Sequence, residues 1–265
     1  MKIIDTHTHY DHKRFNKTRN DLMDAIDSYD IEYVINAAIS HRSLFAMRNK
    51  LSQYPKVKFT VGKHPNFAAN DDFYDSQQKE EIEQLVSENR TVAIGETGID
   101  TYHSKDSKQI DNQILWFKYF IELSQKINKP LILHIRGKGA DRKALKVLKS
   151  YKGNLQGVVH CFCGSYRLYK KYSKLGDFYF GIGGSITFDG KDYKKLRRAV
   201  KKIPLERIVL ETDCPYLAPK GSDNELNSSL NLPIIIFEIA KIKNISEDTV
   251  ANISYHNAKK LFNLQ

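Results

Sequence analysis

KIIDTHTH, residues 2–9, changes character halfway along. Ile3 and Ile4 read as the start of a buried strand, yet the run ends in Asp5, His7 and His9. Side chains alternate across a strand, so these three polar groups are expected to share one face. Three polar groups in line on an apolar strand are either a satisfied polar core or part of a metal site. The other strands decide between the two.

Seven further short β-rich runs follow: YVINAAI (33–39), KFTVGKH (58–64), TVAIGETGID (91–100), PLILHIR (130–136), GVVHCF (157–162), FYFGIGGS (178–185) and RIVLETD (207–213). Between them lie segments of helical spacing. The clearest is 109–127, where Ile110, Ile114, Phe117 and Ile121 recur at i, i+4, i+7 and i+11. Ser246, followed by Glu247 and Asp248, predicts the N-cap of a late helix. Continuous apolar strands alternating with helices imply a parallel sheet covered on its faces. Eight such units fit an α/β chain folded as a (β/α)8 TIM barrel, with a doubly wound open sheet as the alternative. No linker, composition break or internal repeat divides residues 1–265, so one domain is expected.

Chemistry in such barrels sits at the C-terminal ends of the strands. The isolated polar residues fall there. His7 and His9 end the first run, His64 the third, and Glu96 and Asp100 lie near the end of the fourth. His134 and Arg136 end the fifth, His160 is near the end of the sixth and Asp213 ends the eighth. The beginnings of the same strands are apolar or carry lysine. Random core histidines would not be one-ended in this way, whereas a shared metal site would be. His12, His41, His103 and His256 fall in loops or helices and are expected to play no ligand role.

Imidazole and carboxylate donors suit Zn, Mn, Fe or Mg, and the absence of thiolate argues against a structural zinc site. Cys161 directly follows His160 and is expected to point the opposite way, toward the helices. Cys163 and Cys214 read as packing or loop residues. Six candidate donors exceed the need of one catalytic ion and suit two ions sharing a carboxylate.

Composition adds bounds. The three cysteines form neither a disulfide framework nor a CxxC pair, so a reduced, cytoplasmic setting is expected. No run approaches the roughly 18 apolar residues of a membrane span, and no signal-peptide pattern opens the chain. The balance of +11 would attract a polyanion. Pairs such as Lys194-Lys195 and Lys201-Lys202 read equally well as solvated helix faces.

The motifs DTHTH, GKHP (62–65), GETGID (95–100), HIR (134–136), HCFCG (160–164), GIGGSITF (181–188) and LETDCPYL (210–217) resemble the TatD-like metal-dependent deoxyribonucleases in order and spacing. The resemblance runs from residue 3 to about residue 262. It implies a metal-dependent hydrolase barrel that cleaves phosphodiester bonds in DNA. Carried over by position, His7, His9 and Asp213 would hold one divalent ion (Mg2+, Mn2+ or Zn2+), and His134 and His160 a second. Glu96 would bridge the two. Asp213 would also take the proton of the attacking water, and Glu96 counts with it as catalytic. His64 and Arg136 would contact the substrate phosphate. A single-stranded DNA substrate is the simplest expectation, the oligomeric state is left open with a monomer admitted, and a 3′-to-5′ exonuclease is one form the reading admits. Asp5 would orient an imidazole. GIGGS is either a phosphate-binding loop or a tight turn after strand seven.

Three departures concern substrate contacts. Leu230-Asn231-Leu232-Pro233 lacks an arginine common in the family, Phe120 stands where a second glutamine is common after Gln113, and Asn66 stands where a histidine is common. An amidohydrolase or lactonase of the same barrel type is the alternative. Many of those bridge their metals with a lysine on strand four, and residues 91–100 contain none.

Overall fold

The computed structural model describes residues 2–71, 76–151, 153–222 and 226–265. Eight strands form a single parallel sheet in sequence order: β1 (Ile3–Thr8), β2 (Ile31–Asn36), β3 (Val57–Val61), β4 (Thr91–Asp100), β5 (Leu131–Arg136), β6 (Gln156–Val159), β7 (Asp177–Ile182) and β8 (Ile208–Leu210). Helices follow the strands in turn, as the sequence pattern predicts. The ring closes where β1 meets the segment after β8. Thr8 bridges Cys214, the His9 N–H donates to the Cys214 carbonyl at 2.9 Å, and the Asp213 N–H to the His7 carbonyl at 2.9 Å. Closure is thus made by the backbone that carries three of the expected ligands, and the (β/α)8 barrel expectation holds.

Alternation separates two apolar layers. Ile4, Ile35, Ala93, Ile132, Val158, Tyr179 and Val209 point into the barrel and pack with Ala258, Leu261 and Phe262 of the last helix, Glu247–Phe262. That helix closes the N-terminal end. Its Asn257 donates to the carbonyls of Leu205 and Ile208 at the start of β8. The outward layer, including Val34, Leu131, Phe178 and Leu210, packs under the helices. The helix predicted over 109–127 spans Ser107–Ile127 and buries Ile110, Phe117 and Ile121. Ser246 caps the last helix by accepting the Thr249 N–H.

Several strands end earlier than their sequence pattern. β3 stops at Val61, β6 at Val159, β7 at Ile182 and β8 at Leu210. The residues beyond leave the ladder to enter the mouth. His64 caps a short helix (Pro65–Ala68). Cys161 and Asp213 take left-handed backbone, φ 49° and 58°, which is uncommon for residues with side chains and turns each chain segment back over the barrel. β1 is irregular between Asp5 and Thr8, and β4 between Ile94 and Thr97. Such irregularities re-aim side chains near sites, and His7 and Glu96 lie within them.

Candidate metal centre

All six expected donors converge. Glu96 is at the centre, nearly fully buried, and its two oxygens face different partners. Oε2 lies 3.4 Å from His7 Nε2 and 3.8 Å from His9 Nε2. Oε1 lies 2.7 Å from His134 Nδ1 and 3.8 Å from His160 Nε2. Asp213 Oδ1 closes the group, 3.3 Å from His9 Nε2 and 3.8 Å from both His7 Nε2 and His160 Nε2. Two donor groups therefore share one carboxylate, His7–His9–Glu96 and Glu96–His134–His160.

The donor set fits a metal. Two nitrogens on one zinc at tetrahedral angles and about 2.05 Å stand roughly 3.3 Å apart; the Nε2 atoms of His7 and His9 are 3.2 Å apart. Orienting contacts on the far side of a ring leave the near nitrogen open to an ion. His9 Nδ1 meets the Ala37 carbonyl at 3.1 Å, His160 Nδ1 the Glu211 carboxylate at 3.0 Å and His134 Nε2 the Asp100 carboxylate at 3.3 Å. His7 differs: its buried Nδ1 has no hydrogen-bond partner, and its ring stacks on His160 with centroids 3.5 Å apart.

Charge compensation shapes the titration. Burial works against the His160 imidazolium, but Glu211 and Asp213 outweigh it and hold its pKa up at about 10. Burial also opposes ionisation of Glu96, yet His7 and the hydrogen bond from His134 keep it well below the usual carboxylate range. Asp213 is held down in the same way against its burial, by His160 and His9. The carboxylates are thus ionised, as a cation site requires.

His64 adjoins the group, its Nε2 3.9 Å from Glu96 Oε1. Its Nδ1 accepts the Asn66 N–H at 3.1 Å, so Nε2 carries the proton and offers a donor rather than a lone pair. Burial keeps this ring neutral, its pKa lowered to about 3. Arg136 stands apart from the donors on the exposed rim, its guanidinium 4.6 Å above the Tyr102 ring. Both residues line a cleft of about 1510 Å³ over the site.

Two expectations change. Asp5 touches no imidazole. Its carboxylate accepts from Thr212 N–H and Oγ1 at 2.9 and 2.6 Å and from Ser229 Oγ at 2.7 Å. It ties β1 to the Asp213 segment, because the irregularity after Asp5 breaks the alternation. Cys161 lines the cleft rather than facing the helices, since its left-handed backbone ends the strand. Burial, with Asp213 and Glu211, pushes its thiol pKa well above the usual range. Within GIGGS, Gly181 and Ile182 end β7 and a turn follows, with Gly184–Thr187 a 3-10 segment. A Cβ at Gly184 would overlap the Leu217 carbonyl, and one at Gly181 the Glu211 carboxylate. Ser185 is the residue of this turn that lines the cleft.

Glu211, Asp100 and His103 are the participants that sequence reasoning left without a role. Glu211 accepts the Cys161 N–H at 2.6 Å besides holding His160. Asp100 is held by His103 Nδ1 at 2.7 Å and by the N–H groups of Tyr102 and His103. Glu211 lies two residues before Asp213, so alternation already put it on the inner face.

The comparisons agree with this architecture. Residues 4–263 match the family model described as TatD related DNase. The uncharacterized metal-dependent hydrolase YabD of Bacillus subtilis is 27% identical over 263 residues, covering 99% of both chains. One from Methanocaldococcus jannaschii is 31% identical over 265 residues, 99% of this chain and 97% of its own. The structure of YJJV, a TatD homologue from Escherichia coli K12, superposes with a TM-score of 0.86 at 24% identity, over 99% of this chain and 98% of that one. With the matched model spanning nearly its whole length, the chain belongs to the TatD related DNase family.

Proposed function

We propose that this metal-dependent hydrolase of the TatD family cleaves phosphodiester bonds in DNA, using two divalent ions bridged by Glu96. The observation that carries the reading is the division of the two Glu96 oxygens between separate imidazole pairs. His7, His9 and Asp213 would hold one ion, and His134 and His160 the other. Bound there, divalent ions such as Mg2+, Mn2+ or Zn2+ compensate phosphoryl charge and lower the pKa of water.

The chain's own residues supply the rest. Asp213, ionised and with 16% of its side chain exposed, is the most exposed of the six donors, and it accepts the proton of the attacking water. His64 Nε2–H donates to a phosphoryl oxygen, which a neutral ring does without competing for the ion. Arg136 meets the phosphate at the rim, where a planar guanidinium pairs with two oxygens. Glu211 and Asp100 hold His160 and His134 in place.

Asp213→Asn keeps the shape of the side chain and removes its basicity. A labelled single-stranded oligonucleotide with Mg2+ or Mn2+ reports the effect: the variant is expected to lose at least about 100-fold in kcat, the scale of one general base. Full activity in the variant would remove Asp213 from the chemistry, and turnover of lactones or amides without any on DNA would reassign the substrate.

A further inference from the structure

The excess charge is not spread over the chain. Eighteen of the 42 Lys and Arg, but four of the 31 Asp and Glu, fall between Arg136 and Lys202. That stretch carries +14, and the remainder of the protein −3. It comprises three consecutive βα units on one side of the barrel, with helices Ala140–Lys149, Tyr166–Tyr172 and Lys191–Lys202.

The cations are arranged in stripes. In the third helix Lys191, Lys194, Lys195, Arg198, Lys201 and Lys202 recur at i, i+3, i+4, i+7, i+10 and i+11, all exposed. Arg167, Lys170, Lys171 and Lys174 repeat the pattern beside it and are also exposed, and the two helices pack together. Like charges at i, i+4 cost a helix about 0.2–0.5 kcal/mol per pair, and internal acids do little to offset them here. Among the described Lys and Arg of 136–202, Lys195 alone is in an ion pair, with Asp192 at 3.4 Å. Asp177 and Asp189 are taken by Arg207 and Lys220 from outside the stretch.

The stripes run into the cleft. Arg136, Lys138, Arg167, Lys171 and Lys195 are five of the six Lys and Arg that line it. The chemistry of the surface also selects among polyanions. None of the large exposed apolar side chains lies between 136 and 202, so a lipid surface would find no anchor there. Exposed aromatics sit instead at the cleft, where Phe67 and Tyr216 are 48% and 45% exposed. Aromatic platforms beside a cationic track are how single strands are held without regard to sequence.

We propose that the stripes on helices Tyr166–Tyr172 and Lys191–Lys202 form a track that binds the phosphate backbone of a single-stranded nucleic acid outside the cleft, leading it to the site. The track rests on the diesterase reading for its purpose, but its binding is measurable without cleavage. The probe is fluorescein-labelled dT30 in EDTA, read by anisotropy across a KCl series. Wild type is compared with K194Q/R198Q/K201Q/K202Q, none of which lines the cleft, and with K108Q/K118Q/K241Q/K260Q, which removes the same charge elsewhere.

The track variant is expected to lose at least tenfold in affinity near 50 mM salt and to lower the salt slope by about 2 to 3, as roughly 0.7 per lost phosphate contact implies. The control variant should stay within about twofold. K170Q/K174Q, on and just after the neighbouring helix, should show a smaller loss in the same direction, and circular dichroism melts check that each variant is folded. Equal losses in track and control variants would overturn the proposal, as would no loss in the track variant. Binding to phosphatidylserine vesicles without binding to dT30 would overturn it too. The nuclease reading is judged separately, by wild-type cleavage with Mn2+. Track-dependent binding without cleavage would keep the track and reject the nuclease.

Discussion

Glu211 and Asp100 act on the centre through imidazoles, which makes them sensitive tests of it. Each holds the far nitrogen of a ring whose near nitrogen faces Glu96. Removing such a partner typically costs 10–100-fold in metal affinity. Glu211→Gln is therefore expected to weaken Mn2+ binding by about that factor, measured by calorimetric titration, while the fold persists. Unchanged affinity would reduce Glu211 to a packing group filling the space left by Gly181. The pH dependence follows from His160. Its folded pKa of about 10 lies above the ordinary value, so the imidazolium favours the metal-free fold fully below pH about 6.5, an advantage lost as pH rises toward 10. Ion binding must displace that proton. Calorimetry at pH 7.5 in two buffers of different ionisation enthalpy should report release of about one proton or more, and apparent affinity should rise with pH. Binding without proton release would contradict a ligand role for His160. At this scale the sequence was legible where a donor stood at a strand end. Asp5 and Cys161 were misread because a strand irregularity and a left-handed residue reverse a side chain's direction, and neither leaves a mark in residue type.

Among the elements, strand order and helix order followed from alternating apolar runs, since each run buries both faces and has no other stable use. The strand ends did not follow. Polar residues after β3, β6 and β8 looked like continuing strand, but they satisfy their backbone in caps, turns and the closing contacts to β1. The last helix is the element with the clearest stability role. Phe262 is almost fully buried against the inward layer at the N-terminal end of the barrel. Phe262→Ala should cost about 3–5 kcal/mol, a drop of roughly 6–20 °C in Tm for a chain of this size. A differential scanning melt checks it. A shift below about 2 °C would mean that the helix closes nothing. Metal affinity should change little, because the plug and the mouth lie at opposite ends of the strands.

Taken whole, the protein separates its tasks by end and by side. Apolar residues close one end, ionisable residues crowd the other, and the positive charge is gathered on the side of the units built on β5, β6 and β7. The chain's net charge was visible from composition, yet its concentration on neighbouring helices was not until the fold placed them side by side. Among the described residues no helix is long and apolar enough to cross a membrane. The family alone leaves the substrate bond unspecified. The central claim is that two ions held around Glu96 drive diester cleavage, and cleavage of a single-stranded oligonucleotide by metal-depleted protein, followed as Mn2+ is titrated in, tests it most directly. The account predicts no cleavage in EDTA, recovery on adding Mn2+ with a dependence steeper than one ion, and a loss of that steepness in Glu96→Gln. Cleavage that persists in EDTA, or none at any Mn2+ concentration, would contradict it.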